Sequence, residues 1–212
     1  MKKIILLVIA FISVTLYAQD IKTVYVNMPD SLSPLLTKVN REDFADFLES
    51  NMRAQVKNKF EGNSEMKTLT QDYLFVQTTP YSSLQMKLLP VGETEKIVCV
   101  VNTVDGPASD SSVSFYSTDW HELLVSDYLK VPDVEDFFIV SDTIDREQQE
   151  WARKKADMNL MKIELSPENT NLHFTYTTID YMDKESAEEL KPLLKSEPLV
   201  YEWTEERKYR LR

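Results

Sequence analysis

Four short runs rich in aromatic and branched residues, at 73–76, 84–88, 97–101 and 113–116, follow one another with no gap long enough to hold a crossover helix. Parallel neighbours need a crossover of about a dozen residues or more, so strands this close must pair antiparallel as a meander. Turn signals stand between them at Thr79-Pro80-Tyr81-Ser82, Pro90-Val91-Gly92 and Asp105-Gly106-Pro107. Such a sheet must bury one face, and the chain ahead of it supplies a cover. Phe44, Phe47, Leu48, Met52 and Val56 follow the three-and-four spacing of one helical face. They predict a helix from a cap at Asn40 to about Lys59, broken by Gly62-Asn63. A shorter helix over 34–39, entered through Ser31 or Ser33 and Pro34, precedes it, after an extended stretch at 23–26. The fold class this predicts is α+β, an antiparallel meander with helices packed on one face.

Beyond the meander both periods are mixed. The pattern predicts a strand over 134–140, a helix over 145–157 capped by Asp142 or Asp145, and strands over 160–165 and 172–177 joined as a hairpin. Asp183 is expected to cap a last helix reaching about Leu194, distorted by Pro192, ahead of a short strand at 199–203. The basic tail, 207–212, is expected to fray. No low-complexity linker divides the chain, so residues 19–212 are expected to form a single α+β domain.

Residues 1–18 have the layout of a cleavable export signal: Lys2 and Lys3, an apolar run over 4–16, and Leu16-Tyr17-Ala18 before the polar Gln19-Asp20. The run is shorter than the roughly 20 apolar residues of a membrane span, so no stable membrane anchor is expected. The expected location is periplasmic or extracellular. Loss of Lys2 and Lys3 takes Lys+Arg from 24 to 22 against 35 Asp+Glu, a formal charge of −13 for the mature chain. Nucleic-acid affinity comes mostly from Lys and Arg at phosphates, so this excess excludes nucleic acid as a partner. The lone cysteine, Cys99, sits inside Ile97-Val98-Cys99-Val100-Val101 and reads as a small buried hydrophobe rather than a nucleophile.

Chemistry has few places to sit. His121 and His173 are the only histidines, too few for a multi-histidine metal site, and His173 alternates with Leu172 and Phe174 onto the polar face of its strand. The catalytic candidates are Asp119, His121 and Glu122, which with Trp120 resemble an acid/base pair beside an aromatic platform. The preferred reading of the same residues is structural, a strand end with Asp119 capping the next turn and Trp120 on the core. The metal candidates, Asp105 and Asp110 with Ser109, Ser111 and Ser112, form an oxygen-rich loop but lack the central glycine and closing glutamate of the known calcium loop. No metal or cofactor is expected, since there is no Gly-x-Ser-x-Gly, no His-Glu-x-x-His and no phosphate-cradling glycine loop.

The order of two helices and then antiparallel strands is similar to the αα-ββββ unit of beta-lactamase-inhibitor-like proteins, a likeness of fold that carries no function. The stretches Met28-Pro29-Asp30-Ser31-Leu32, Asn40-Arg41 to Asn51-Met52, Tyr73-Leu74 and Ser114-Phe115-Tyr116-Ser117-Thr118-Asp119-Trp120 resemble a family of uncharacterised exported Bacteroidales proteins, a domain of unknown function. That resemblance implies export and one compact domain, and no activity. The expected function is a non-catalytic envelope protein that binds a protein or polysaccharide partner through its sheet face or loops, with some of the aromatics Tyr81, Tyr116, Trp120 and Tyr176 left by alternation on an exposed face. The alternative is a carboxylate-based hydrolase acting on a polysaccharide or peptide.

Overall fold

The computed structural model describes residues 20–139, 146–156 and 158–212. The signal-like segment, Val140, the cap candidates Asp142 and Asp145, and Asp157 lie outside the described residues. Two helices come first, α1 (Ile21–Val26) and α2 (Lys38–Glu49). Seven strands follow: β1 (Gln55–Lys57), β2 (Asn63–Leu69), β3 (Tyr73–Thr79), β4 (Ser82–Pro90), β5 (Lys96–Asp105), β6 (Ser109–Ser117) and β7 (Glu122–Leu123). They pair in sequence order as one antiparallel meander. The single-turn α3 (Val125–Tyr128), a 3-10 turn at Val134–Phe137 and α4 (Arg146–Lys155) lead to β8 (Met161–Leu165) and β9 (Leu172–Tyr176). Next come α5 (Lys184–Leu190), β10 (Leu199–Trp203) and β11 (Tyr209–Leu211). These last four strands form a second antiparallel sheet in the order β11-β10-β9-β8.

The chain is thus α+β, and the helices do cover one face of the meander. Leu74, Val76, Met86, Val98 and Val100 pack against Ile21, Val24, Tyr25 and Phe44 of α1 and α2. The opposite face is covered as well. Leu89, Cys99, Val101 and Phe115 meet Ile163, Leu172, Phe174 and Tyr201 of the small sheet. Three layers result, and β4 over 83–89 and β5 over 97–101 are buried on both faces.

The small sheet is fastened through its edge. In β8 the amides of Met161, Ile163 and Leu165 are not used in pairing with β9, and side chains of the large sheet take them up. Ile163 N–H donates to Ser111 Oγ (3.0 Å), Leu165 N–H to Gln85 Oε1 (2.9 Å) and Met161 N–H to Asp110 Oδ1 (3.5 Å). Gln85 Oε1 also accepts the Tyr73 hydroxyl at 3.3 Å. Beside it Lys87, 1% exposed, is paired with Asp72 at 3.0 Å and donates to the Pro167 carbonyl at 3.4 Å. A bare strand edge is a template for unwanted pairing, and here it is closed by side chains.

Several elements differ from expectation for local reasons. Residues 23–26 are helical, not extended, because Asp20 accepts the Thr23 amide (2.8 Å) and Ile21, Val24 and Tyr25 fall on one buried face. The separate helix expected over 34–39 is absent, since 34–37 are not helical and Lys38 and Val39 open α2, and Asn40 is not a cap. Thr37 caps α2 in a reciprocal box with Asn40, whose side chain accepts the Thr37 amide. The helix stops at Glu49 rather than near Lys59 because Asn51 turns left-handed (φ 54°). The Asn51 amide then donates to Leu48 and the Met52 amide to Phe47, closing the end. Met52 is consequently exposed and Val56 belongs to β1. The expected strand at 134–140 is a 3-10 turn capped by Asp133, leaving only a bridge between Phe138 and Leu194. The tail does not fray, since β11 pairs with β10 and Tyr209 is buried edge-on to Trp203 at 5.1 Å. Asp183 caps α5 as expected, and Pro192 falls in the 3-10 turn Lys191–Leu193 that ends it.

Candidate functional site

The turns of a meander alternate between its two ends, and this separates the residues singled out in the sequence. Asp119, His121 and Glu122 lie at the β6–β7 turn and are exposed. The hydroxyl of Ser117, not Asp119, caps that turn by accepting the His121 amide at 3.1 Å. Trp120 holds a left-handed backbone (φ 66°), packs its ring on Tyr116 at 5.4 Å and donates Nε1 to the Val24 carbonyl at 3.0 Å. That arrangement ties α1 to the sheet. The Trp120→Phe variant, which keeps a ring but drops this hydrogen bond, is expected to lose about 1 kcal/mol in urea denaturation.

Asp105 and Asp110 stand on the two strands of the β5–β6 hairpin, where Asp105 Oδ1 accepts the Ser109 hydroxyl at 2.7 Å and Asp110 accepts the β8 amide already described. Among the described residues no three His, Cys, Asp or Glu side chains come together as a metal site would require. His173 lies half-buried on the face of β9 opposite Phe174. Cys99 is fully buried, and burial pushes its thiol far up from its ordinary value, away from the thiolate form a nucleophile uses. Of the aromatics expected on an open face, Tyr116 and Tyr176 are buried, the latter against Phe137, and Trp120 is half-covered. Only Tyr81 is open.

The other end of the large sheet gathers the β1–β2, β3–β4 and β5–β6 turns with the loop that precedes α2. Phe60 and Tyr81, at the tips of the first two turns, are 79% and 71% exposed, and Val104 beside the third is 63% exposed. Backbone and buried side chains tie these turns together. The Lys59 amide donates to the Leu35 carbonyl at 3.0 Å and the Asp105 amide to the Tyr81 carbonyl at 2.8 Å. Buried Asn58 accepts the amides of Phe60 (3.0 Å) and Gly62 (3.1 Å) while donating to Ser64 Oγ and the Thr78 carbonyl. Behind the tips lies a pocket of about 190 Å³ lined by Leu32, Leu35, Leu36 and Leu84 and by polar residues that include Ser33 and Asn102. Two nearby hydroxyl pairs are engaged with one another, Thr79 with Ser82 at 2.7 Å and Thr103 with Ser111 at 2.8 Å. Sequence reading found Tyr81 but not Phe60, which falls just past the expected end of a long helix near Lys59.

Asn58 is the residue that shapes the first tip. An Asn58→Ala substitution is expected to destabilise by about 2 kcal/mol and to raise amide exchange at Phe60 and Gly62, because two buried acceptor bonds and two donor bonds vanish at once.

A family model described as Protein of unknown function (DUF3256) matches residues 13–209. A solved structure of a domain of an uncharacterized protein from Porphyromonas gingivalis W83 is similar in fold, with a TM-score of 0.79 and 25% identity over 90% of this chain and 96% of that one. No curated protein matches. The family likeness read from the sequence is therefore real, and it brings no functional assignment with it.

Proposed function

We propose, on the premise that this chain belongs to the DUF3256 family of proteins of unknown function, that it is an exported, non-catalytic binding protein of the cell envelope whose hairpin end docks a protein partner. The observation that carries this reading is the pair Phe60 and Tyr81, two aromatic side chains held in water on tips that hydrogen bonds make rigid. Holding large apolar rings in water gains the isolated chain nothing, whereas buried aromatic anchors dominate binding energy at protein interfaces. Preorganised tips also lower the ordering cost of association. A polysaccharide is favoured less, because sugar recognition draws on hydroxyl and amide groups, and the Thr78, Thr79 and Thr103 hydroxyls at this end are already paired within the protein. The hydrolase reading has no comparable support, with Asp119 and Glu122 exposed at the far end of the sheet. The export part rests on the signal-like residues 1–18.

The test is site-specific photo-crosslinking in the native envelope, with a benzophenone amino acid at position 60 or 81 and at His173 as control. Discrete adducts from 60 and 81 and none from 173 are the expected result. A diffuse high-mass smear would point to polysaccharide instead, and equal yields from all three positions would remove the hairpin end as the binding face.

A further inference from the structure

We infer a second site, independent of the hairpin end: a pocket in the C-terminal layer that takes a small carboxylate with an apolar or aromatic body. The pocket, of about 240 Å³, lies between the 3-10 turn at Val134–Phe137, the end of β9 and the segment 191–198. Its apolar lining comes from Phe137, Tyr176, Ile179 and Leu194, with the Phe137 and Tyr176 rings 5.3 Å apart. Lys191 and Lys195 also line it, and among the described lining residues Glu197 is the one acidic side chain. Lys195 Nζ donates to the Asp136 carbonyl at 2.8 Å. Among the described residues neither lysine belongs to an ion pair, whereas Lys22, Lys38, Lys57, Lys67, Lys87 and Lys162 each meet a carboxylate.

Among the described residues lining this concavity, two lysines stand against one acidic residue, in a chain whose formal charge is −11. A cleft in which one sign of charge predominates over low-dielectric walls concentrates the opposite ion. The apolar lining then selects for the body of that ion. The volume falls just below the range of about 300–1,000 Å³ typical of drug-sized ligands, so the bound group is small. Such chemistry comes from either of two sources, a free apolar acid or the C-terminal carboxylate of a peptide ending in an apolar residue.

Titration of the isotope-labelled mature chain by amide NMR distinguishes them. With 3-phenylpropionate the amides of Thr175, Ile179 and Ser196 are expected to shift saturably, and 3-phenylpropanol, which lacks the charge, is expected to bind at least fivefold more weakly. Lys191→Gln is expected to weaken the acid at least threefold with the thermal midpoint unchanged, while Lys191→Arg keeps most of the binding. A tetrapeptide ending in phenylalanine that binds as the free acid but not as the amide assigns the site to peptide C-termini; binding of 3-phenylpropionate without the peptide acid assigns it to free acids. Absence of saturable shifts with every probe, or equal affinity for acid and alcohol, overturns the site. None of these outcomes depends on crosslinking at positions 60 and 81.

Discussion

Arg41→Met is expected to lower stability by about 3–5 kcal/mol, which drops the thermal midpoint by about 6–20 °C in a chain of this size. Arg41 is 1% exposed and sits in the first turn of α2. Its guanidinium reaches back to the end of α1 and the loop between the helices, where it donates to the carbonyls of Leu36 (2.9 Å), Met28 and Val26 and is paired with Asp30 at 3.1 Å. One side chain thereby satisfies acceptors that the loop, having no regular partner, would otherwise bury bare. Methionine fills similar space, so the loss reads mainly the abandoned carbonyls rather than a cavity. Lysine keeps the charge but lacks the planar fork, and Arg41→Lys is expected to recover less than half of the deficit. Urea unfolding followed by far-UV circular dichroism measures both; a loss under about 1 kcal/mol for Arg41→Met would mean that the loop finds other donors.

Gln85→Leu should cost about 2–4 kcal/mol, because it strands two buried donors at once, the Leu165 amide and the Tyr73 hydroxyl. Gln85 is 6% exposed and lies where β8 meets the large sheet, so the leucine cannot recover hydration for either group. Ser111→Ala strands only the Ile163 amide and is expected to cost about 1 kcal/mol. Both substitutions touch the same strand edge, so the double variant should depart from additivity. Hydrogen exchange reads the mechanism directly. The Leu165 amide should lose protection in Gln85→Leu while amides in the centre of β5 keep theirs at matched stability. Uniform loss across both sheets would show that the residue acts through general packing instead.

The elements that could be read from the sequence are those whose side chains declare their own environment. Turn residues at Pro80, Gly92 and Gly106 located the meander, and Asp183 with Pro192 located α5 and its early end. β2 escaped because its buried positions include Ser64, whose hydroxyl donates to the Thr78 carbonyl at 2.6 Å, so no alternation of apolar residues shows. The length of α2 was misread because Asn51, a left-handed closing residue, stood inside an apolar spacing that continued by coincidence through Met52 and Val56. The third layer was hidden for the opposite reason. In Leu84-Gln85-Met86-Lys87-Leu88 apolar and polar residues alternate, the pattern of a single buried face, yet Gln85 and Lys87 are buried because each meets a polar group of the small sheet or its loops. The uninterrupted run at 97–101 was the available signal, since a strand apolar on both faces has both faces covered.

For the candidate site, sequence spacing drew attention to Trp120 and its acidic neighbours because they cluster in the chain. The hairpin end is assembled from turns 20 or more residues apart, and only pairing order brings Phe60, Tyr81 and Val104 to one side. Phe60 looks like a core residue until the turn around Asn58 is known. No linear motif encodes that surface.

Competition at the hairpin end is the most direct measure of whether those tips are a binding face. Envelope preparations carrying the photo-crosslinker at position 81 are mixed with an excess of unlabelled protein, either natural or Phe60→Ser/Tyr81→Ser, after both are shown to unfold at the same temperature. The natural protein should abolish the adduct and the double variant should leave it intact. A double variant that competes as well as the natural chain would place the binding energy elsewhere on the molecule.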